Sequence, residues 1–288
     1  MDFYFTAVLL GLGFASLALG IFISMRIFNI PDITTDGSFT LGGAVTAVLL
    51  TKNVSLPIVF VAAFFSGAIA GAITGIIHTK LRVNALLAGI LVMTALYSVD
   101  LAFMGRSNIP LTNVTTLFSI GSFFSDEISQ QAFVLIFFVF FLWQLIGWIL
   151  KTDFGLAMRA TGNNESMIRA LGVNTDRMKI IGLGLANGLT ALSGFLIVQI
   201  QGFADINMGI GIVILGLGSV MIGEIFSRLV RLRSILFKLL FVIAGSIIFR
   251  LLLAFALSIG IDPVYLKLVV AVFVLIVVSI PNLKRSHD

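Results

Sequence analysis

The chain has 288 residues, of which 59% are hydrophobic and 11% charged, with a formal net charge of +5. Soluble domains carry roughly a quarter charged residues, so this composition excludes an ordinary water-soluble fold. The Lys and Arg residues lie in short clusters between apolar runs, which does not indicate a nucleic-acid partner. Cysteine is absent, which excludes disulfides and thiolate metal sites. We expect a single membrane domain over residues 1–288, surrounded by lipid.

Apolar runs of membrane-spanning length predict an all-α integral membrane protein with about nine transmembrane helices. The first run has Asp2 in front of it and lacks a basic start, so we interpret it as a membrane helix and not as a signal peptide. The predicted limits are Phe3–Ser24, Ser38–Leu50, Leu56–Ile77, Ala85–Phe103, Ala132–Leu150, Ile180–Ile200, Asn207–Ile222, Leu239–Leu257 and Val264–Ile280.

The basic residues predict the orientation, because Lys and Arg concentrate on the cytoplasmic side of a membrane protein. Fourteen of the 18 basic residues fall in segments on one side, and only Lys52 and Arg106 fall on the other. The remaining two, Arg250 and Lys267, fall inside predicted helices. We therefore expect a multi-pass protein of the cytoplasmic membrane with its N-terminus outside and its C-terminus in the cytoplasm.

The second and seventh predicted helices are short, and each follows a polar segment. Ser38–Leu50 would span about 20 Å, less than the roughly 30 Å hydrocarbon core. The preceding residues, Asn29 to Ser38, contain a proline and a glycine, so they cannot form continuous helix exposed to lipid. Asp205 to Asn207 resembles Asp32 to Thr34 and also precedes a short helix, of opposite orientation.

This pattern predicts an inverted-topology repeat with broken second and seventh helices. Repeat 1 covers about residues 3–103 and repeat 2 about 180–281, with a connector helix at 132–150 and a cytoplasmic loop at 151–179. A chance similarity between two polar loops stays open, because identity between the halves is weak. Small residues at every fourth position of the third helix, from Gly67 to Gly75, predict close helix packing.

The two polar segments predict a substrate-contact zone where they converge. Arg250 is a charge within a predicted helix, so it either lines the same pathway or belongs to a structural pair. The residues of this candidate pathway are Asp36, Ser38, Thr40, Asp205, Asn207 and Arg250.

The loop 151–179 contains a predicted short helix. Asn164 is a suitable N-cap, Glu165 favours the positive helix start, and Gly172 suits the turn after the helix end. About two turns would place three apolar side chains on one face, namely Met167, Ile168 and Leu171. Either a partner protein or the lipid headgroups would cover this face.

Several segments of the chain resemble the permease subunits of branched-chain amino acid and ribose type ABC importers. Residues 155–160, 170–177 and 192–194 carry the resemblance, and residues 29–42 resemble the broken second helix of that family. Glu165 and Gly172 are seven positions apart, which departs from the loop of maltose-type permeases. The resemblance implies a coupling helix that binds an ATPase through Arg159, Asn164, Glu165, Met167, Ile168, Leu171, Gly172 and Arg177.

The resemblance also implies a permease homodimer, paired ABC ATPase subunits and an external substrate-binding lipoprotein. The chain has no Gly-Lys-Ser or Gly-Lys-Thr motif, so we expect no cofactor here and assign ATP and Mg²⁺ to the ATPase. The outer loop from Met104 to Gln131 is the longest predicted docking surface for the binding protein. Residues 32–39 are most similar to permeases for aromatic amino acids, so tryptophan or tyrosine is expected. Other amino acids, nucleosides and sugars stay open.

Three alternative functions would each require different features in the sequence. An ion-coupled secondary transporter would share the inverted repeat and the broken helices. An intramembrane protease using Ser193 needs a nearby base, but His78 and His287 fall in predicted cytoplasmic segments. A receptor-like role is a third alternative. We predict a transporter subunit and not an enzyme.

Overall fold

The computed structural model describes residues 2–112, 114–119, 126–230 and 234–285. Two helices and a π-helical turn run directly into one another at the start of the chain, and the remaining elements are joined by short connections. The elements are α1 (Asp2–Gly13), α2 (Ala15–Ile21), the π-helical turn (Phe22–Ile27), α3 (Thr34–Thr51), α4 (Leu56–Thr79), α5 (Ala85–Met104), β1 (Asn108–Pro110), α6 (Glu127–Ile149), α7 (Asp153–Asn163), α8 (Glu165–Ala170), α9 (Thr175–Gln201), β2 (Phe203–Asp205), α10 (Ile212–Leu229), α11 (Ile235–Ser258) and α12 (Leu266–Arg285).

Seven helical stretches within the described ranges are long and apolar enough to cross a membrane. Helix α3 is not among them, because its first two turns are polar, and Pro263–Val277 is a shorter apolar helix. The predicted total of nine transmembrane helices therefore stays a prediction. The seven stretches are Phe3–Ile27, Leu56–Thr79, Ala85–Met104, Glu127–Ile149, Thr175–Gln201, Ile212–Leu229 and Ile235–Ser258.

Helices α3 and α9 form the centre of the bundle. Residues 34–48 of α3 are all buried, and so is nearly every residue from 182 to 199 of α9. Helix α4 packs tightly along α9, and a Cβ at Gly71 would overlap the carbonyl oxygen of Leu183. This contact confirms the predicted close packing of the small-residue stripe. Because α3 is enclosed by its neighbours, its polar side chains are shielded from lipid.

The predicted start of the second helix lies four residues after the observed start. Helix α3 starts at Thr34, before the predicted Ser38, and its 18 residues span about 27 Å. The Asp32 carboxylate accepts a hydrogen bond from the backbone N of Thr34 at 2.9 Å, which satisfies a free N–H group of the first turn. The irregular backbone is limited to residues 28–33, and the helix itself is not short.

The seventh predicted helix, Asn207–Ile222, is displaced along the chain. Residues 206–211 form turns, and α10 extends from Ile212 to Leu229. Gly211 has φ +84°, a left-handed conformation that cannot lie within an α-helix, so α10 begins only after it. With 18 residues α10 is not short either, although irregular backbone precedes it as predicted.

Three further helices begin four or five residues earlier than predicted, at Glu127, Thr175 and Ile235. The first turns of the helices at Glu127 and Thr175 are polar and carry no hydropathy signal, whereas in the helix at Ile235 Lys238 interrupts the apolar run within the first turn. The start of α9 shows the cause, because the Asn174 side chain accepts a hydrogen bond from the backbone N of Arg177 at 3.0 Å. Such capping extends a helix beyond its apolar run.

Two elements were not expected from the sequence. Helix α7 fills the first part of the predicted loop 151–179, and the hydroxyl of Thr152, its N-cap, accepts a hydrogen bond from the N of Gly155 at 3.3 Å. Strands β1 and β2 form an antiparallel ribbon, with Asn108 opposite Asp205. The fold is therefore mostly, but not purely, helical.

The predicted outer docking loop, from Met104 to Gln131, lies partly outside the described residues, at 113 and 120–125. Its described part contains β1 and a 3-10 turn at Leu117–Ser119. The backbone N of Leu117 donates a hydrogen bond to the Gln199 side chain at 2.7 Å, which fastens this part of the loop to α9.

Candidate functional site

Asp36 joins the two irregular segments of the chain. It lies in the first turn of α3, is 7% exposed, and accepts hydrogen bonds from the backbone N of Gly211 and of Val213, each at 2.8 Å. A carboxylate at a helix N-terminus satisfies free N–H groups and interacts favourably with the helix dipole. Asp36 therefore caps α10 from another helix. The sequence analysis placed Asp36 in the predicted substrate-contact zone but did not identify its contact with the start of α10.

A small cavity of about 30 Å³ lies between α3, α5 and the turn before α10. Asp36, Thr40, Tyr97 and Asp100 provide its polar lining. Asp100 is fully buried, and neither of its carboxylate oxygens has a hydrogen-bond partner among the described residues. The space suffices for about one water molecule. Asp100 is not among the predicted pathway residues, so its placement beside Asp36 was missed.

Ser38 does not line this cavity, so the structure does not bring it together with Asp36 there, and its role in a pathway stays a prediction. Its hydroxyl donates to the Asn187 Oδ1 at 2.7 Å, and the Asn187 Nδ2 donates to the Asp32 carboxylate at 2.6 Å. Thr34 and Thr74 share a hydrogen bond of 2.7 Å beside them. This buried network links α3 to α9 and α4, and it explains how polar residues are tolerated at the bundle centre.

Replacing Asn187 with alanine is expected to lower the free energy of unfolding by about 3 kcal/mol, because two buried polar groups lose their partner. Thermal unfolding of the purified chain in detergent measures the effect, with an expected fall in Tm of roughly 8 °C. The matched control is Asn207→Ala in the exposed outer turn, expected to cost less than about 0.5 kcal/mol. Equal shifts for both variants would contradict the structural role of the network.

Asp205 and Asn207 shape the outer turn and do not line the cavity, so the structure does not group them with Asp36 there. The Asp205 carboxylate accepts a hydrogen bond from the backbone N of Asn207 at 2.8 Å and one from the Asn108 side chain at 3.5 Å. These contacts are local to the ribbon. They affect the cavity only indirectly, because the outer turn is followed by Gly211, whose backbone N donates a hydrogen bond to Asp36.

Arg250 stacks on an aromatic side chain. Its guanidinium carbon lies 3.8 Å from the ring centroid of Phe14, and Phe14 stacks on Phe39 with centroids 5.6 Å apart. Among the described residues no carboxylate forms an ion pair with Arg250. The structure thus provides a cation–π contact for this charge, while its role in a pathway stays a prediction.

The predicted short helix of the loop is present as α8 (Glu165–Ala170). The Asn164 side chain accepts a hydrogen bond from the backbone N of Met167 at 3.0 Å, and Gly172 has φ +87°. Both terminating residues therefore act as predicted. At six residues the helix is shorter than the two turns expected. Arg159 lies on α7 and Arg177 in the first turn of α9, so neither belongs to α8.

Glu165 fastens α8 to the start of α9. Its carboxylate contacts Arg169 at 3.0 Å, Lys179 at 2.6 Å and the Thr175 hydroxyl at 3.1 Å, and Arg169 also contacts Asp176 at 3.1 Å. The hydrogen bond from Lys179, together with the nearby positive charges, lowers the pKa of the Glu165 carboxyl below its ordinary value of 4.5. The contact is therefore charged at neutral pH and weakens only as the pH falls below that value.

The apolar face predicted for this helix is smaller than expected. Met167 and Leu171 are 53% and 71% exposed, but Ile168 is buried against the bundle. Residues three or four apart share a helix face, whereas Ile168 follows Met167 directly and points inward. The surface left for a partner is thus the pair Met167 and Leu171, which we call the α8 patch.

Comparison with known proteins assigns the chain to a family. Residues 3–279 match the family described as "Branched-chain amino acid transport system / permease component". The chain belongs to this permease family. The permease is a multi-pass membrane protein and a component of ABC transporters, as the resemblance in its sequence implied.

Individual relatives of the permease are consistent with this family. It is 40% identical to the tyrosine transport system permease protein of Clostridioides difficile (strain R20291), over 94% of this chain and 88% of the relative. It is 28% identical to the ribose import permease protein of Escherichia coli (strain K12), over 88% of this chain and 78% of the relative. A solved metal-chelate type ABC transporter in an inward-facing conformation shares the fold, with TM-score 0.52, 16% identity, and coverage of 98% and 85% of the two chains.

Proposed function

We propose that two copies of the permease form the translocation pathway of an ABC importer. Separate ATPase subunits would hold ATP and Mg²⁺, and an external substrate-binding lipoprotein would deliver the substrate. The α8 patch carries this proposal: α8 is fastened to α9 by Glu165 and exposes Met167 and Leu171 in a chain of an ABC permease family. Docking of α8 on an ATPase would cover this apolar pair.

The end of the bundle that carries α7 and α8 is proposed to be cytoplasmic, with the N-terminus outside and the C-terminus inside. The bias in Lys and Arg supports this orientation. Residues 3–103 and 180–281 are proposed as inverted repeats within one domain of residues 1–288. Helices α3 and α10 support this proposal, because each follows a long helix and an irregular segment.

The substrate pathway is proposed to run along α3, α5 and the turn before α10. The cavity of about 30 Å³ beside Asp36 and Asp100 is too small for an amino acid, so these elements must separate during transport. ATP-driven closure of the ATPases would move α8 and, through the contact between Glu165 and Lys179, would displace α9. Arg250 is retained as a proposed pathway residue because intramembrane charges usually serve a function.

The proposed substrate is an amino acid, with tyrosine or tryptophan favoured. The Clostridioides difficile relative is named as a tyrosine transport system permease protein, which supports an aromatic amino acid. Two buried carboxylates, Asp36 and Asp100, would also attract an ammonium group within the bundle. Sugars are the second candidate, because the ribose permease is also a relative, and nucleosides remain a further candidate.

Vesicle transport tests the proposed function. The permease would be purified with its co-purifying ATPase, reconstituted into proteoliposomes, and supplied with the binding protein and labelled tyrosine. We expect uptake only with ATP on the ATPase side and no change when sodium or proton gradients are collapsed. Uptake that persists without ATP and follows an ion gradient would establish a secondary transporter instead. Calorimetry on the binding protein with tyrosine, leucine, ribose and a nucleoside then identifies the substrate.

A further inference from the structure

A cleft of about 610 Å³ opens at the end of the bundle that carries α7 and α8. It lies between the π-helical turn Phe22–Ile27, α7, α10 and α11. This volume equals that of about twenty water molecules, enough for a phosphate group with its substituents. Its charged and amide lining consists of Arg26, Asn29, Arg159, Asn163, Glu224, Arg228 and Lys238.

The lining carries more positive than negative charge. Among the described residues of the lining, Glu224 is the one carboxylate, and it forms ion pairs with Arg26 at 2.5 Å and Arg228 at 3.6 Å. Arg159 and Lys238 form no ion pair with any carboxylate of the described residues. Four cations and one anion therefore share the cleft, and their mutual repulsion is relieved by a bound anion. Guanidinium groups match phosphate geometry especially well.

Exposed apolar side chains lie on the same helices as the cations. Phe226 and Leu229 of α10 are 40% and 72% exposed, and Phe237 of α11 is 46% exposed. The cleft itself has an apolar lining next to the cations, consisting of Phe22, Leu156, Ile235 and Val242. A basic cleft between membrane helices, next to an apolar surface, fits an anion that carries acyl chains. Free phosphate would contact only the basic and amide side chains and would leave the apolar ones uncovered.

We infer that this cleft binds the phosphate of an anionic membrane phospholipid, whose acyl chains lie along α10 and α11. The inference is independent of the proposed transport substrate. Arg159 and Asn163 lie on α7, immediately before α8. A bound headgroup therefore fastens α7 to α10 and α11 and sets the position from which α8 meets its partner.

The test compares lipid binding by the purified chain and by a double variant, Arg159→Gln with Lys238→Gln. The probes are phosphatidylglycerol, phosphatidylcholine and inorganic phosphate, followed by thermal unfolding and by native mass spectrometry. We expect phosphatidylglycerol alone to raise Tm and to remain bound. The double variant should bind it about thirtyfold more weakly, since each basic residue contributes about one kcal/mol. The matched control, Lys52→Gln with Arg106→Gln, removes two cations at the opposite end and should bind normally.

Replacements that preserve the charge show whether any loss of binding is caused by misfolding. Arg159→Lys with Lys238→Arg keeps both cations and is expected to bind phosphatidylglycerol nearly as well as the original chain. Equal stabilisation by phosphatidylcholine, or unchanged binding by the glutamine variant, would overturn the site. Equal stabilisation by inorganic phosphate would contradict the inference that the bound phosphate belongs to a lipid. Intact lipid binding by the glutamine variant with loss of the co-purifying ATPase would assign the cleft to protein docking instead.

Discussion

Replacing Asp36 with alanine is expected to abolish transport and to lower the free energy of unfolding by about 3 kcal/mol. The Asp36 carboxylate accepts both hydrogen bonds that hold the start of α10, from Gly211 and Val213. Without it these N–H groups lose their partner, and the turn before α10 separates from α3. Tm in detergent and ATP-dependent uptake in proteoliposomes measure the two effects. Asp36→Asn, which keeps an acceptor oxygen but no charge, is expected to lie between alanine and the original residue.

The matched control for this prediction is Asp205→Asn. Asp205 is also a carboxylate that accepts a backbone hydrogen bond, from Asn207, but it lies in the outer turn and does not line the buried cavity. We expect a change in Tm of at most a few degrees and preserved uptake. If Asp36→Ala retained both its Tm and its uptake, the cap on α10 would have no role in transport.

Replacing Leu171 with aspartate is expected to remove the co-purifying ATPase and to reduce substrate-stimulated ATP hydrolysis at least about tenfold, as loss of a central interface residue does. Leu171 is 71% exposed, so a charged side chain there should leave Tm unchanged. Met167→Asp changes the other member of the α8 patch and should have the same effect. Co-purification and ATP hydrolysis by the assembled complex are the measurements.

Leu81 offers a matched control for this prediction. It is 67% exposed in the connection after α4, close to Lys80, which contacts Asp176 at the start of α9. Leu81→Asp therefore places the same charge near the same end of the bundle, and we expect the ATPase to remain bound. Loss of the ATPase in both variants would show a general effect of charge, whereas normal stimulation in Leu171→Asp would exclude docking through α8.

Two other substitutions in this loop, Glu165→Lys and Gly172→Pro, test docking less directly. A lysine at position 165 would meet Arg169 and Lys179, which now neutralise the Glu165 carboxylate. Proline cannot adopt the φ of +87° found at Gly172. Both changes alter how α8 is held on α9, so an effect on ATP hydrolysis would combine altered packing with altered contact.

Local signals allowed part of this fold and site to be predicted. Apolar runs located the long helices, because membrane-spanning length and hydropathy are properties of a contiguous segment. Asn164 and Gly172 act at the ends of α8 as predicted, since capping involves residues within a turn of one another. Helix starts were less accurate, because polar first turns such as that of α3 carry no hydropathy signal.

The sequence by itself therefore determined the class of protein, the positions of the apolar helices and the short helix of the loop. Tertiary structure alone decided which polar residues meet. Asp36 caps α10 from 175 residues away, and Ser38 pairs with Asn187 across 149 residues. Ile168 is buried for the same reason, because neighbouring elements cover one side of α8. Contacts over such separations depend on how the helices pack around α3 and α9, and no local pattern in a single sequence specifies that packing.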